Sequence, residues 1–319
     1  MRRGGMGTLV RLTVTIGLLT TLVFIIADPR EVGTLIANIA LLPFCGAILL
    51  SLADRFLMTY KWWLLLRSRE LVVSLWVAFR AYLASSLYGL VLPVTVGADA
   101  VRILALRHLG MMEVTASIVI ERGLGVIAMG AVGLMSCLLL AGTAGNFEVD
   151  HLTFILVTTI VVMTILFIAS LYLADHWATE DQSTKSSKHP RLAKIVEAYG
   201  RYRHQPSLLS GFFLLSVAES LLCALIAYIA TIGLGLSVPL HILVATVPLA
   251  LASARLPISL GGFGVQEGSF VFLAGLVGVS STNALSIMLV SDIAMLIALL
   301  PSAFDNSMVT LKRQAEDSV

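Results

Sequence analysis

Leu92-Pro93-Val94-Thr95-Val96-Gly97-Ala98-Asp99-Ala100-Val101 and Leu256-Pro257-Ile258-Ser259-Leu260-Gly261-Gly262-Phe263-Gly264-Val265 run in register in opposite halves of one chain, and their clear mismatch is Asp99 against Phe263. Each is a proline and glycine break set in apolar sequence. At membrane depth the backbone leaves the helix only where protein or a water-filled cavity covers it. A matched pair of interrupted segments is the sequence pointer to a transporter-type site built on internal repeats. The plainer reading is two unrelated helix-breaking loops.

Composition fixes the class. The chain has 319 residues, 58% of them hydrophobic and 13% charged, against about 25% charged in soluble domains. It reads as an all-α, polytopic integral membrane protein. A net charge of +2, with the basic residues gathered in loops, gives no stripe for nucleic acid. Cys45, Cys137 and Cys223 lack CxxC or Cys/His spacing, so they read as small buried hydrophobes, with no metal site and no disulfide framework. Arg2 and Arg3 precede an apolar run without a small-residue cleavage site, and a retained first span is expected in place of a removed signal peptide.

A crossing takes roughly 20 apolar residues, and six segments qualify: 9–27, 34–53, 115–140, 152–174, 208–232 and 283–302. Basic residues in short loops face the cytoplasm. Arg2, Arg3 and Arg11 put the amino terminus inside, Arg55, Lys61, Arg67 and Arg69 follow the second span, residues 175–206 carry six more, and Lys312 and Arg313 lie in the tail 304–319. The topology closes if 80–110 enters and leaves from inside and 240–279 from outside. The order is then span, span, re-entrant hairpin, span, repeated once inverted: repeat 1 over 1–141 and repeat 2 over 150–303. The expected location is the cell membrane, with both termini cytoplasmic.

Segment 175–206 is too short for a catalytic domain. Within it, 191–204 reads either as a basic interfacial helix, with Leu192, Ile195, Val196 and Tyr199 towards lipid, or as a solvated linker. Trp62 and Trp63, between Lys61 and Arg67, read as an aromatic belt.

Charges at membrane depth carry the chemistry. A half-helix starting in mid-membrane presents unpaired N–H groups and a positive dipole end to a phosphate or carboxylate; the expected starts follow Gly97 and Gly264. Asp99 and Arg102 share one helix face, Asp99 either capping the helix or binding an ion or proton. Glu121 and Arg122 are adjacent, diverge by about 100 degrees and therefore need partners from elsewhere. Arg255, Gly261, Gly262, Gln266 and Glu267 surround the second break, and Asp292 lies mid-span. Glu219 and Asn38 are weaker cavity candidates. No GxSxG, HExxH, Walker or Rossmann fingerprint is present, so no catalytic residue, metal ligand or cofactor is assigned.

Leu92-Pro93-x-x-x-Gly97-Ala98-Asp99-Ala100-Val101-Arg102, then Ile120-Glu121-Arg122, then Pro257-Ile258-Ser259-x-Gly261-Gly262-x-Gly264-Val265-Gln266-Glu267-Gly268 resembles the transmembrane, flippase-like domain of lysylphosphatidylglycerol synthases and their stand-alone relatives. The family pattern usually has Gly where Ala98 stands and Arg where Gln266 stands. In two-domain members a soluble carboxy-terminal domain attaches lysine to phosphatidylglycerol and the membrane domain moves the product outward. The chain ends at Val319, and no aminoacyl-transferase activity is expected of it. The resemblance implies binding and translocation of a phosphate-bearing phospho- or glycolipid, with a lipid-modifying or glycosyl transferase as a possible partner. The alternatives are a membrane-embedded transferase with Asp99 or Glu121 as general base, or a non-transporting partner of such an enzyme.

Overall fold

A computed structural model describes residues 3–91, 95–144, 147–184, 190–255 and 258–304. Pro93 and Pro257, the prolines of the two breaks, lie outside them, as do the centre of the 175–206 loop and the tail after Phe304. Among the described residues the secondary structure is entirely helical: α1 (Arg3–Thr21, continued by a π-helical turn Leu22–Ile26), α2 (Pro29–Ala37), α3 (Leu41–Arg67), α4 (Leu75–Val91), α5 (Thr95–Ala105), α6 (Arg107–Ala144), α7 (Phe147–Thr184), α8 (Pro190–Gly200), α9 (Pro206–Gly233), α10 (Leu240–Ser253), α11 (Val265–Leu276) and α12 (Ser281–Phe304).

Five of these helices, α3, α6, α7, α9 and α12, are long and apolar enough to cross a membrane, and the bent pair α1–α2 makes a sixth. The second span expected at 34–53 is corrected. Residues 29–37 form a separate short helix turned by 96° from the first, and the crossing helix runs from Leu41 to Arg67. The bend has a local cause: Asp28 accepts the Arg30 N–H at 2.8 Å, Pro29 pre-sets the first helical φ, and the Asp28 N–H is tied to Thr282 Oγ1 of α12. Ala40 is extended and restarts the helix as α3.

Between the long helices sit two pairs of shorter ones. α4 packs on α5 and α10 on α11. Of the four, α5, α10 and α11 have 11 to 14 residues, about 16–21 Å of helix, against about 30 Å of hydrocarbon. The absent side chain of Gly89 lets the first pair close up, since a Cβ there would stand 3.0 Å from that of Ala98.

Among the described residues four apolar cores hold the bundle together, the smallest formed by Ala47 of α3, Ile226 of α9 and Ala294 of α12. One joins α9, α10, α11 and α12 with the end of α1 and α2, a second joins α3, α4, α5 and α6, and a third joins α3, α6, α8 and α9 with α7. α6 and α12 are the most enclosed of the long helices and α7 the least. Val161, Ile165, Leu166 and Ile168 of α7 are exposed. In water such a face would be an aggregation site; in a membrane protein it is the surface offered to lipid.

Three local expectations change. Residues 190–200 are helical, but their buried side, with Ala198 and Tyr202, packs on α6 and α7, and Leu192 is exposed. The segment is a packed helix and not a free linker. Trp62 forms no belt: it is fully buried and donates from Nε1 to Ser117 Oγ at 3.0 Å. Cys45 is exposed and Cys223 half-buried, so only the latter is partly enclosed; the side chain of Cys137 lies outside the described set.

Candidate functional site: an arginine-lined cavity

A chain of buried ion pairs joins the first short-helix pair to α6. Arg102, 1% exposed, donates from Nη1 to Glu121 Oε2 at 2.6 Å and from Nη2 to Asp99 Oδ1 at 2.7 Å. Arg122 donates to both Asp99 oxygens at 3.2 and 2.8 Å, and the Tyr82 hydroxyl donates to Glu121 Oε1 at 2.9 Å. The Arg102 guanidinium also lies 4.9 Å from the Trp62 ring centre and 4.7 Å from that of Tyr82. Adjacent Glu121 and Arg122 thus each find a partner on α5.

Asp99 does not cap a helix. α5 is already helical at Thr95, so Gly97 falls inside its first turn and Asp99 one turn further on, with both oxygens committed to guanidinium groups. The expected start after Gly97 is corrected to Thr95, three residues earlier.

The second break is built as the sequence suggests. Gly261, Gly262 and Gly264 all take positive φ, a conformation costly to any residue with a Cβ. A Cβ on Gly262 would stand 2.7 Å from that of Ala254, and one on Gly264 2.7 Å from that of Leu18. α11 then starts at Val265. Glu267, fully buried, accepts the Gly264 N–H on Oε2 at 2.5 Å, and Gln266 donates from Nε2 to Asp292 Oδ1 at 2.9 Å. The loop is anchored to α1 by the Leu260 N–H, which donates to Thr15 Oγ1.

Between the two breaks lies a cavity of about 230 Å³. Its polar lining consists of Arg11, Arg55, Arg102 and Arg122, Tyr82, Ser85, Ser86 and Ser259, and Gln266; Gly89, Ala98, Gly261 and Gly262 bring backbone to its wall, and Met58, Met295 and Leu299 are its larger apolar side chains. Among the described residues no carboxylate reaches the lining. Asp99 and Glu121 stand behind their arginines, and Asp54 pairs with Arg55 at 2.6 Å. Arg122 keeps 39% of its side chain exposed. Among the described residues neither Arg11 nor Arg255 has an ion-pair partner, and Arg255 sits beside Gly125 of α6, outside the lining. Among the described residues the Ser259 hydroxyl and Arg102 Nε are buried without a hydrogen-bond partner.

Depth follows from helical rise. Arg55 lies about 21 Å along α3 from Leu41 and Arg122 about 18 Å beyond the kink at Gly110, so the guanidinium groups stand near mid-helix. A cavity there with four arginines and no lining carboxylate attracts an anion, and bidentate N–H pairs suit phosphate or carboxylate oxygens.

Of the candidates named from sequence, Arg102, Arg122, Gly261, Gly262 and Gln266 line the cavity; Asp99, Glu121 and Asp292 support lining side chains; Gly97, Arg255, Gly264 and Glu267 stand outside it. Asn38 is exposed beyond α2, and Glu219 is paired with Lys61, which also donates to Ser216, away from the cavity. Sequence reasoning missed Arg11, Arg55 and Tyr82. The signal for Arg55 was present: Asp54-Arg55 interrupts an otherwise apolar run from Leu41 to Leu57.

Comparison with curated proteins finds no match. The family described as "Lysylphosphatidylglycerol synthase TM region" matches residues 9–302, which takes in every long helix and both breaks. The chain therefore belongs to the lysylphosphatidylglycerol synthase TM region family, and it is a multi-pass membrane protein of lipid metabolism.

Proposed function

We propose that the protein binds the phosphate-bearing headgroup of a phospho- or glycolipid in the arginine-lined cavity and passes it between leaflets. The observation that carries this reading is the cavity lining, in which the described residues bring four guanidinium groups and no carboxylate. An anion entering would complete the coordination of Arg122 and Arg11, accept from the Ser259 hydroxyl and stay near membrane mid-depth, while its acyl chains remain in lipid. In this reading α4–α5 and α10–α11 are re-entrant hairpins of two inverted repeats, the termini are cytoplasmic in the cell membrane, and rocking of the repeats alternates access.

The transferase alternative is disfavoured by geometry. Both Asp99 oxygens and both Glu121 oxygens already accept hydrogen bonds, three of these four acceptor positions from arginine. A general base needs a free lone pair turned to the substrate, and these carboxylates are already engaged by side chains of the surrounding helices.

Native mass spectrometry of the protein extracted with its lipids tests the binding. Phosphate-bearing lipids should be retained by the wild type and lost on substitution of Arg11→Gln with Arg122→Gln. Equal retention by the double variant, or a preference for uncharged lipid, contradicts the reading.

A further inference from the structure

Directly behind Gln266 lie two carboxyls that form no ion pair with a cation among the described residues. Glu267 of α11 is fully buried and Asp292 of α12 is 7% exposed. Each uses one oxygen: Glu267 Oε2 takes the Gly264 N–H and Asp292 Oδ1 takes the Gln266 side-chain amide. The other oxygen of each, Glu267 Oε1 and Asp292 Oδ2, is buried and lacks a donor. Gln266, whose amide bonds Asp292, is the immediate neighbour of Glu267 in the first turn of α11, so the two carboxyls flank one side-chain amide. The charged and titratable groups on the elements packed against α11 and α12 include Arg11 on α1, Arg30 and Glu31 on α2, Asp54, Arg55 and Lys61 on α3, Arg80, Tyr82 and Tyr88 on α4, Glu219, Cys223 and Tyr228 on α9, and His241 and Arg255 at the two ends of α10. Asp54 is paired with Arg55 and Lys61 with Glu219, Tyr82 donates to Glu121, and among the described residues neither Arg11 nor Arg255 forms an ion pair with either carboxyl.

Two ionised carboxylates so placed would leave two negative charges buried side by side, with one lone pair on each short of a donor. A single proton resolves both defects. It neutralises one group and supplies the missing donor, one oxygen becoming O–H and the other accepting from it. We propose that the Glu267–Asp292 pair is a proton-binding site that shares one proton in this conformation, and that this proton is taken up together with the anionic headgroup.

The coupling follows from position. Gln266 lines the cavity with its side chain and donates to Asp292, so one neutral amide separates the proton site from the headgroup. An anion in the cavity adds negative potential at the pair and tightens its hold on the proton; by linkage the proton tightens the hold on the anion by the same factor. Loss of the proton frees Gln266 Nε2 to be held by two carboxylates and repels the headgroup. Proton and lipid then move in the same direction. This coupling rests on the translocation reading above, whereas the proton site itself does not.

Infrared difference spectroscopy of the purified protein reads the site without any transport. A protonated-carboxylic C=O band should be present at neutral pH and absent from Glu267→Gln and from Asp292→Asn, in which the new amide donates to the remaining carboxylate. Gln266→Arg, which places a fixed cation against the pair, should abolish the band while leaving both carboxyls in place. No band in the wild type, or a band that survives all three substitutions, overturns the site; so does a band unaffected by pH but removed by sodium ions, which would make the ligand a metal cation. In proteoliposomes, an imposed pH gradient should change the wild-type rate of leaflet exchange several-fold and that of Asp292→Asn not at all. Wild-type exchange indifferent to the gradient overturns the coupling. Absence of any wild-type exchange refutes the translocation reading and the coupling with it, and the infrared result alone then decides the proton site.

Discussion

Arg102 is the residue on which the first half of the cavity depends. Its guanidinium pairs with both Glu121 and Asp99 and lies against the Trp62 and Tyr82 rings, so Arg102→Ala strands the buried Glu121 carboxylate and leaves Asp99 to Arg122 alone. Breaking a buried pair from one side costs about 3–5 kcal/mol, and the unfolding free energy of the variant in detergent should fall by that order. Lys61 with Glu219 offers a contrast, being equally buried but remote from the lining. Lys61→Met should destabilise by a similar amount, again about 3–5 kcal/mol, and the double variant Lys61→Met with Glu219→Gln should recover most of it. Lipid retention should be intact in that double variant; its loss would place the pair in the functional machinery. At this scale the sequence was informative wherever a charge fell inside a recognised span, as with Glu121, Arg122 and Asp292. Arg55 and Lys61 were misjudged for one reason. A hydropathy window ending the second span at residue 53 puts Arg55 and Lys61 in a loop, whereas the helix runs on to Arg67 and buries Lys61 against its neighbours.

At the scale of the element, the glycine loop before α11 makes the sharpest demand on sequence. Gly264 combines φ of 84° with a missing side chain at the point where α1 passes. Gly264→Ala should cost about 1–3 kcal/mol in backbone strain, plus the displacement of Leu18, and should loosen the α1 contact that Thr15 makes with Leu260. Gly275, at the other end of α11, faces open space. Gly275→Ala should be neutral or stabilising by up to about 1 kcal/mol, and thermal unfolding of the two variants side by side checks both. The breaks themselves were legible because proline and glycine within apolar sequence admit few conformations. The start of α5 at Thr95 and the docking of α8 on α6 and α7 were not. Both depend on tertiary partners, the first on guanidinium groups that occupy Asp99, the second on the buried ring of Tyr202, whose hydroxyl donates to the Leu65 carbonyl.

For the molecule as a whole, the account requires the second short-helix pair to open towards the outside and the first towards the cytoplasm. Single cysteines at positions 280 and 70, in a background lacking Cys45, Cys137 and Cys223, test it with a membrane-impermeant maleimide. The residue at 280 should label from outside intact cells and that at 70 only after permeabilisation; the reverse for 280 would remove the inverted arrangement. Membrane class and the tally of crossings follow from hydropathy alone, since apolar length is a property of local sequence. The cavity does not, because its wall is drawn from α1, α3, α4, α5, α6, α11 and α12, and only packing brings Arg11 and Arg122 to one space. Leaflet exchange of fluorescent phospholipids in proteoliposomes, followed by dithionite quenching, tests the central claim most directly, with wild type compared against Arg102→Lys, Arg122→Gln and empty vesicles. The account expects wild-type exchange well above empty vesicles for a phosphate-bearing headgroup, partial loss in Arg102→Lys and larger loss in Arg122→Gln at unchanged folding. Exchange that is equal in wild type and Arg122→Gln, or absent in folded wild type for every phosphate-bearing lipid tried, would contradict it.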